Sequence, residues 1–200
     1  MFRRLTRSVP ALGAVLAVGL LGVGSFAVAG ERKAGPWHSG GHGYGHHHGS
    51  CHGKRVSGLD ERWLKLYIET NLFEIAGGQA ALEKSANPEV RALATHLVED
   101  HTAALARATA LAERLRVEVP TTPSPLQQWA LRAASSFEGP AFDRWFADLQ
   151  VEGHRQAIME TETELARGCN RKVRRLAAMS LPVLEEHLEH ARMVLDSVDD

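Results

Sequence analysis

Pro120, Pro123 and Pro125 crowd the stretch VEVPTTPSPLQQWALRAASSFEGP, and no continuous helix can cross them. Proline brings no amide hydrogen and its ring clashes with the carbonyl four residues back. On both sides of this break the sequence reads as helix. Alanine, leucine, glutamate and arginine abound, and apolar residues recur at steps of three and four. The periodicity predicts a first helix from Asp60 to Ser85, with Leu64, Ile68, Ile75 and Leu82 on one stripe. ANPEV ends it and starts the next, since Asn87 suits an N-cap and Pro88 a first helical position. The second helix is expected to reach Arg116, through Val90, Leu93, Leu97, Leu111 and Leu115. A third is expected from Ala141 to Arg167 and a fourth from Arg171 to Asp196, with the break RGCN between them.

The break spans about 25 residues, far more than antiparallel neighbours need. Pro125 to Phe137 can form a short helix within it. Two helical hairpins joined by one long crossover define the ferritin-like four-helix bundle, an all-α fold in which the second and third bundle helices run parallel. An up-and-down bundle with an elaborate loop is the competing arrangement. Pro182 falls inside the last helix and is expected to kink it. Gly77-Gly78 falls inside the first, marking either close helix packing or room beside Glu74.

Before the helices the character of the chain changes twice. Residues 1–29 combine a basic start (Arg3, Arg4, Arg7), a long apolar run and small residues at Ala27–Ala29. This is the pattern of a signal peptide, implying export to a periplasm or cell envelope, with no other membrane insertion. An uncleaved anchor is the competing reading, because the apolar run approaches the roughly 20 residues that span a bilayer. Residues 30–57 are dominated by glycine and histidine, and too little of this segment can be buried to offset its ordering entropy. We read it as a disordered tether whose His38, His42, His46, His47, His48 and His52 form an auxiliary metal chelator. Residues 58–200 then make one compact domain.

With 23 basic and 24 acidic residues, nothing in the charge balance points to nucleic acid or an anionic membrane surface. Cys51 lies in the tether and Cys169 in the domain. An exported pair can form a disulfide, but a flexible partner argues against a structural one.

Five histidines lie in the domain, and their placement separates them. His101, His154 and His187 fall on the apolar stripes of the second, third and fourth bundle helices, and Glu74 on an inward edge of the first. His96 and His190 fall towards the sides. Each of the four inward groups lies about 13 to 16 residues into its helix, about 20 Å from its start at 1.5 Å per residue. One polar group from each helix is thus expected at a single level of the core. Such groups are costly there unless they share a partner. Three neutral imidazoles and a carboxylate can hold one divalent transition metal ion, zinc or iron among others. Asp100, Glu99, Glu152 and Glu186 are the acids near enough in sequence to orient the imidazole N–H groups. The alternative is a hydrogen-bonded polar network without an ion. Trp63, Trp129 and Trp145 read as packing residues.

NLFEIAGGQAALEKSANPEVRALATHLVEDHTAALARATALAERLRVEVP, followed by FDRWFADLQVEGHRQAIMETE and LPVLEEHLEHA, resembles the DUF4142 family over Leu59 to Leu195. The resemblance rests on Glu74 in EIAGG, Asp100-His101 in EDHT, Phe142-Asp143, His154, and Leu181-Pro182 ahead of His187. It implies a ferritin-like fold, bacterial export and an unassigned function, and it singles out Glu74, Asp100, His101, His154 and His187. The di-iron pattern, Glu-x-x-His on two helices with a glutamate on each of the others, is not met. The chain offers His96-x-x-Glu99 and Glu186-x-x-x-His190 instead. The expected protein therefore binds a single ion and has no assigned catalytic residue. A mononuclear-metal enzyme and a metal-free envelope protein are the alternatives.

Overall fold

Ser57 and Asp60 open the first helix by capping each other. The Ser57 hydroxyl accepts from the Asp60 amide, and the Asp60 carboxylate accepts from the Ser57 amide. The computed structural model describes Cys51 and residues 55–199. Residues 1–29, read as a signal peptide, and His38, His42, His46, His47, His48 and His52, read as a chelating tether, lie outside the described residues. From the Ser57 cap α1 runs Gly58–Lys84, and α2 follows over Pro88–Leu115, capped by Asn87 with Pro88 in its first turn. It stops where Arg116 turns left-handed at φ 58°. The crossover carries α3, Pro125–Ala133, and a short 3-10 turn, Ala134–Ser136. Then come α4, Pro140–Arg167, and α5, Arg171–Asp199. No strand occurs among the described residues, and no helix there is long and apolar enough to cross a membrane.

Contacts between named residues fix the direction of each helix. Trp63, near the start of α1, donates its indole N–H to Thr161 near the end of α4. Lys84, at the other end of α1, donates to the carbonyls of Ala134 and Phe137 just before α4 begins. Hence α1 and α4 are antiparallel. The Tyr67 and Ser180 hydroxyls, each early in its helix, pair at 2.7 Å, so α1 and α5 run the same way. Since α1 and α2 form a hairpin, α2 and α4 run parallel. The crossover climbs the whole bundle along α1: Glu118 pairs with Lys65, Gln127 donates to Thr70, and Lys84 receives its far end. This is the ferritin-like topology, and the up-and-down alternative is excluded.

Gly78 is a packing glycine, because a Cβ there would come within 2.8 Å of Val98 and 3.0 Å of the Ala94 carbonyl. Close approach of α1 to α2 is therefore the reason for it, not space beside Glu74. Pro182 sits on an exposed stretch of α5, which is one helix over Arg171–Asp199. The carbonyl it leaves without a donor belongs to Ala178, an exposed residue. Trp63 is buried as expected, whereas Trp129 is 46 % exposed on α3 and is not a core residue.

Cys51 and Cys169 are joined by a disulfide, contrary to the argument that a flexible partner would prevent one. Cys169 occupies the tight α4–α5 corner, where Asp60 also holds its amide. A rigid anchor on one side is enough to hold a cysteine from the other.

Two apolar clusters fill the ends of the bundle. One gathers Trp63, Leu64, Ile68, Ala108, Leu111, Val173 and Ala177 around the start of α1. The other gathers Ala81, Leu93, Leu97, Phe142, Phe146, Val151 and Val194 around its end. Between them lies a buried polar layer made of Asn71, Glu74, His101, Gln150, His154 and His187.

Candidate metal centre

The three stripe histidines meet in that layer. His101 from α2, His154 from α4 and His187 from α5 each offer a ring nitrogen, and these nitrogens all lie within 4.8 Å of one another. The ring centroids stand 5.2 to 5.8 Å apart, and the rings are mutually tilted, as ligands around one point require. All three residues are 2–3 % exposed.

The tautomer of each ring follows from its outer partner. Asn71 donates its amide to the Tyr67 carbonyl at 2.5 Å, which turns its oxygen to His101 Nδ1 at 2.9 Å. That oxygen only accepts, so Nδ1 carries the proton and Nε2 a bare lone pair. His154 Nδ1 donates to the Gln150 carbonyl at 2.9 Å, again leaving Nε2 bare. His187 is reversed: its Nε2 donates to Asp100 at 3.0 Å, and Nδ1 is the bare atom. His101 Nε2, His154 Nε2 and His187 Nδ1 have no hydrogen-bond partner among the described residues. Three acceptors thus converge without a donor between them.

Burial holds the His101 and His154 rings in the neutral form that can ligate. His154 is pushed down to about 4 by desolvation first and then by the charge His187 would carry. His101 is driven well below its ordinary value by desolvation, reinforced by His154 and His187. Glu74 shares the layer, 2 % exposed, but stands outside the trio of ligand atoms. Burial pushes its carboxyl up to about 8, against a hydrogen bond from the Gln150 side chain, and its Oε2 is unpartnered. At neutral pH it is largely a neutral acid, which a nearby cation would ionise.

Of the acids near the histidines in sequence, Asp100 reaches an imidazole. Glu99, Glu152 and Glu186 are exposed, and Glu152 pairs with Arg155. The remaining N–H groups are held by Asn71 and a backbone carbonyl instead. Asn71 left a signal in the sequence, a polar amide inside α1 on the inward edge one turn before Glu74. The Gln150 carbonyl left none, because any residue supplies one.

Fold and site together define a ferritin-like bundle with a three-histidine centre in its core. The chain belongs to the DUF4142 family, a domain of unknown function whose pattern matches residues 48–194. Among solved structures it is similar to a crystallised DUF305 fragment from Deinococcus radiodurans, at 16 % identity and a TM-score of 0.64. The match covers 72 % of this chain and 99 % of that one, and it supports the fold alone. No curated protein matches the chain.

Proposed function

We propose that this protein binds a single divalent transition metal ion through His101 Nε2, His154 Nε2 and His187 Nδ1. One observation carries the reading: three buried lone pairs face one another with no donor among them. A metal-free network would give each acceptor a hydrogen, because an unsatisfied buried acceptor costs about 1–3 kcal/mol. A cation satisfies all three at once. Nitrogen ligands of this kind suit zinc or ferrous iron, and Glu74 is the nearest buried carboxylate for a fourth position. Three protein ligands with a free position also describe catalytic zinc. The near-complete burial of the trio gives a substrate no approach, which favours a binding protein over an enzyme.

The leader-like residues 1–29 support an exported location, and the Cys51–Cys169 disulfide fits an oxidising compartment. The tether histidines would then act as a weak chelator beside the core site, since a flexible segment must be ordered when the ion binds.

The test uses the full chain with the six tether histidines changed to asparagine, keeping Cys51 so that the disulfide survives. After zinc loading and dialysis, elemental analysis should find a tightly held ion that His154→Ala abolishes. Its melting temperature should fall when a chelator is added. No retained metal and no response to chelator would sink the proposal.

A further inference from the structure

The trio is sealed, so an ion must enter through the wall of the bundle. Asp100 marks the place. Its side chain is 56 % exposed, yet it bonds His187 Nε2 at 3.0 Å, one atom-to-atom step from a ligand. One turn along α2 from Asp100 stands His96, and one turn along α5 from His187 stands His190. Their rings approach to 5.4 Å across the α2–α5 seam, tilted by 55°. His96 is exposed and His190 half-buried. Among the described residues neither ring takes a hydrogen-bond partner.

Packing does not account for this pair. On a surface two imidazoles gain little from each other, and they repel once both are protonated. A shared cation accounts for it, because a metal at about 2.0–2.1 Å from each of two nitrogens needs them on facing side chains at this spacing. Glu89 and Glu186 lie close enough to act electrostatically on His190, and with Asp100 they give this strip of the seam a negative field. We propose that His96 and His190 form a second, solvent-facing divalent-cation site that loads the buried trio by way of Asp100. The loading step rests on the trio being a metal centre; the surface site itself does not.

Zinc is the probe, and the protein is the full chain with asparagine at the six tether histidines. Equilibrium dialysis should find a tight and a weak zinc ion, and stopped-flow transfer from a chromophoric chelator should report the filling of the tight one. The double variant His96→Ala/His190→Ala should lose the weak ion, keep the tight one, and fill it about tenfold more slowly. The single variants His96→Ala and His190→Ala should each lose the weak ion as well. His154→Ala should do the reverse, losing the tight ion and keeping the weak one. An unchanged weak ion in the double variant overturns the surface site. An unchanged filling rate overturns its loading role. Failure of the core reading would show separately, as a tight ion that survives His154→Ala.

Discussion

Asp60 and the three core histidines are both buried in this bundle, and their hydrogen-bond accounts are opposite. At the α4–α5 corner Asp60, with no exposed surface, accepts from the Cys169 and Asn170 amides at 2.9 and 2.8 Å. Its other oxygen accepts from the Ser57 amide and hydroxyl. Both Asp60 oxygens have donors, and the result ties the α1 cap, the α4–α5 turn and the Cys51–Cys169 disulfide into one corner. In the middle layer His101, His154 and His187 are equally buried, but their inward nitrogens have none. Burial alone therefore does not distinguish structure from function. What distinguishes them is whether the protein itself completes the group. Asp60 is finished by the chain, whereas the trio is finished only by something the chain does not contain.

The sharpest way to break the comparison is to remove Asp60. Asp60→Ala strands two backbone amides and the Ser57 cap, which should cost about 4–5 kcal/mol in urea unfolding. The loss should be the same with and without zinc. His154→Leu should behave in the opposite manner. Measured in chelator, it should change stability by less than about 1 kcal/mol, because it removes an orphaned acceptor along with a ring. Zinc at a hundredfold excess over its dissociation constant should stabilise the parent by about 2.7 kcal/mol and leave the variant unmoved. If zinc stabilised both equally, the two clusters would not differ as described.

A smaller effect tests the outer partners. Asn71→Leu removes the acceptor of the His101 N–H, so the ring loses the contact that fixes its tautomer. Zinc affinity by competition with a chelator should fall about 10- to 100-fold. Unfolding in chelator should change by less than Asp60→Ala. An unchanged affinity would mean that α2 packing alone orients His101.

The fold was legible because it depends on spacing. Three prolines and a long interval dictated the crossover, and equal depths along the helices placed His101, His154 and His187 at one level. Such arguments need only the rise of a helix and the topology. The outer partners were not legible in the same way. Asp100 was found because acids beside histidines invite attention, but so do Glu99, Glu152 and Glu186, which helical rotation turns to solvent. Their angle around the axis decides this, and small errors in helix phase reverse it. The disulfide was missed for another reason. Its cysteines are 118 residues apart, and only the three-dimensional corner built around Asp60 brings them together. It has an experimental consequence, because a truncation beginning at residue 58 would discard Cys51 and leave Cys169 unpaired.

The corner cluster also holds a second acid, and it makes the comparison depend on pH. Glu164 is fully buried beside Asp60, folded back so closely that a Cβ on Gly168 would meet its carboxyl. Desolvation first, then interaction with Asp60 and its charge, raise its pKa to about 8 against the opposing charge of Arg174. Asp60 moves the other way: burial works to raise it, but the Ser57 hydroxyl, the Asn170 and Ser57 amides and Glu164 together outweigh that and lower it. Glu164 is therefore largely protonated at neutral pH, whereas Asp60 stays ionised. A carboxyl whose pKa is raised on folding binds more protons in the native state than in the unfolded chain. Its contribution is complete below the ordinary value of 4.5 and is lost as pH climbs towards 8. Below 6.5 the lowered His101 and His154 work the other way, so the decline in stability should show between about pH 6.5 and 8. Glu164→Gln keeps the size of the side chain but cannot ionise, so the decline should become shallower. Urea midpoints taken between pH 5 and pH 8.5 in chelator would show it. Glu74, also held near 8, should keep the slope from vanishing, and a slope unaffected by Glu164→Gln would show that folding does not hold the Glu164 proton.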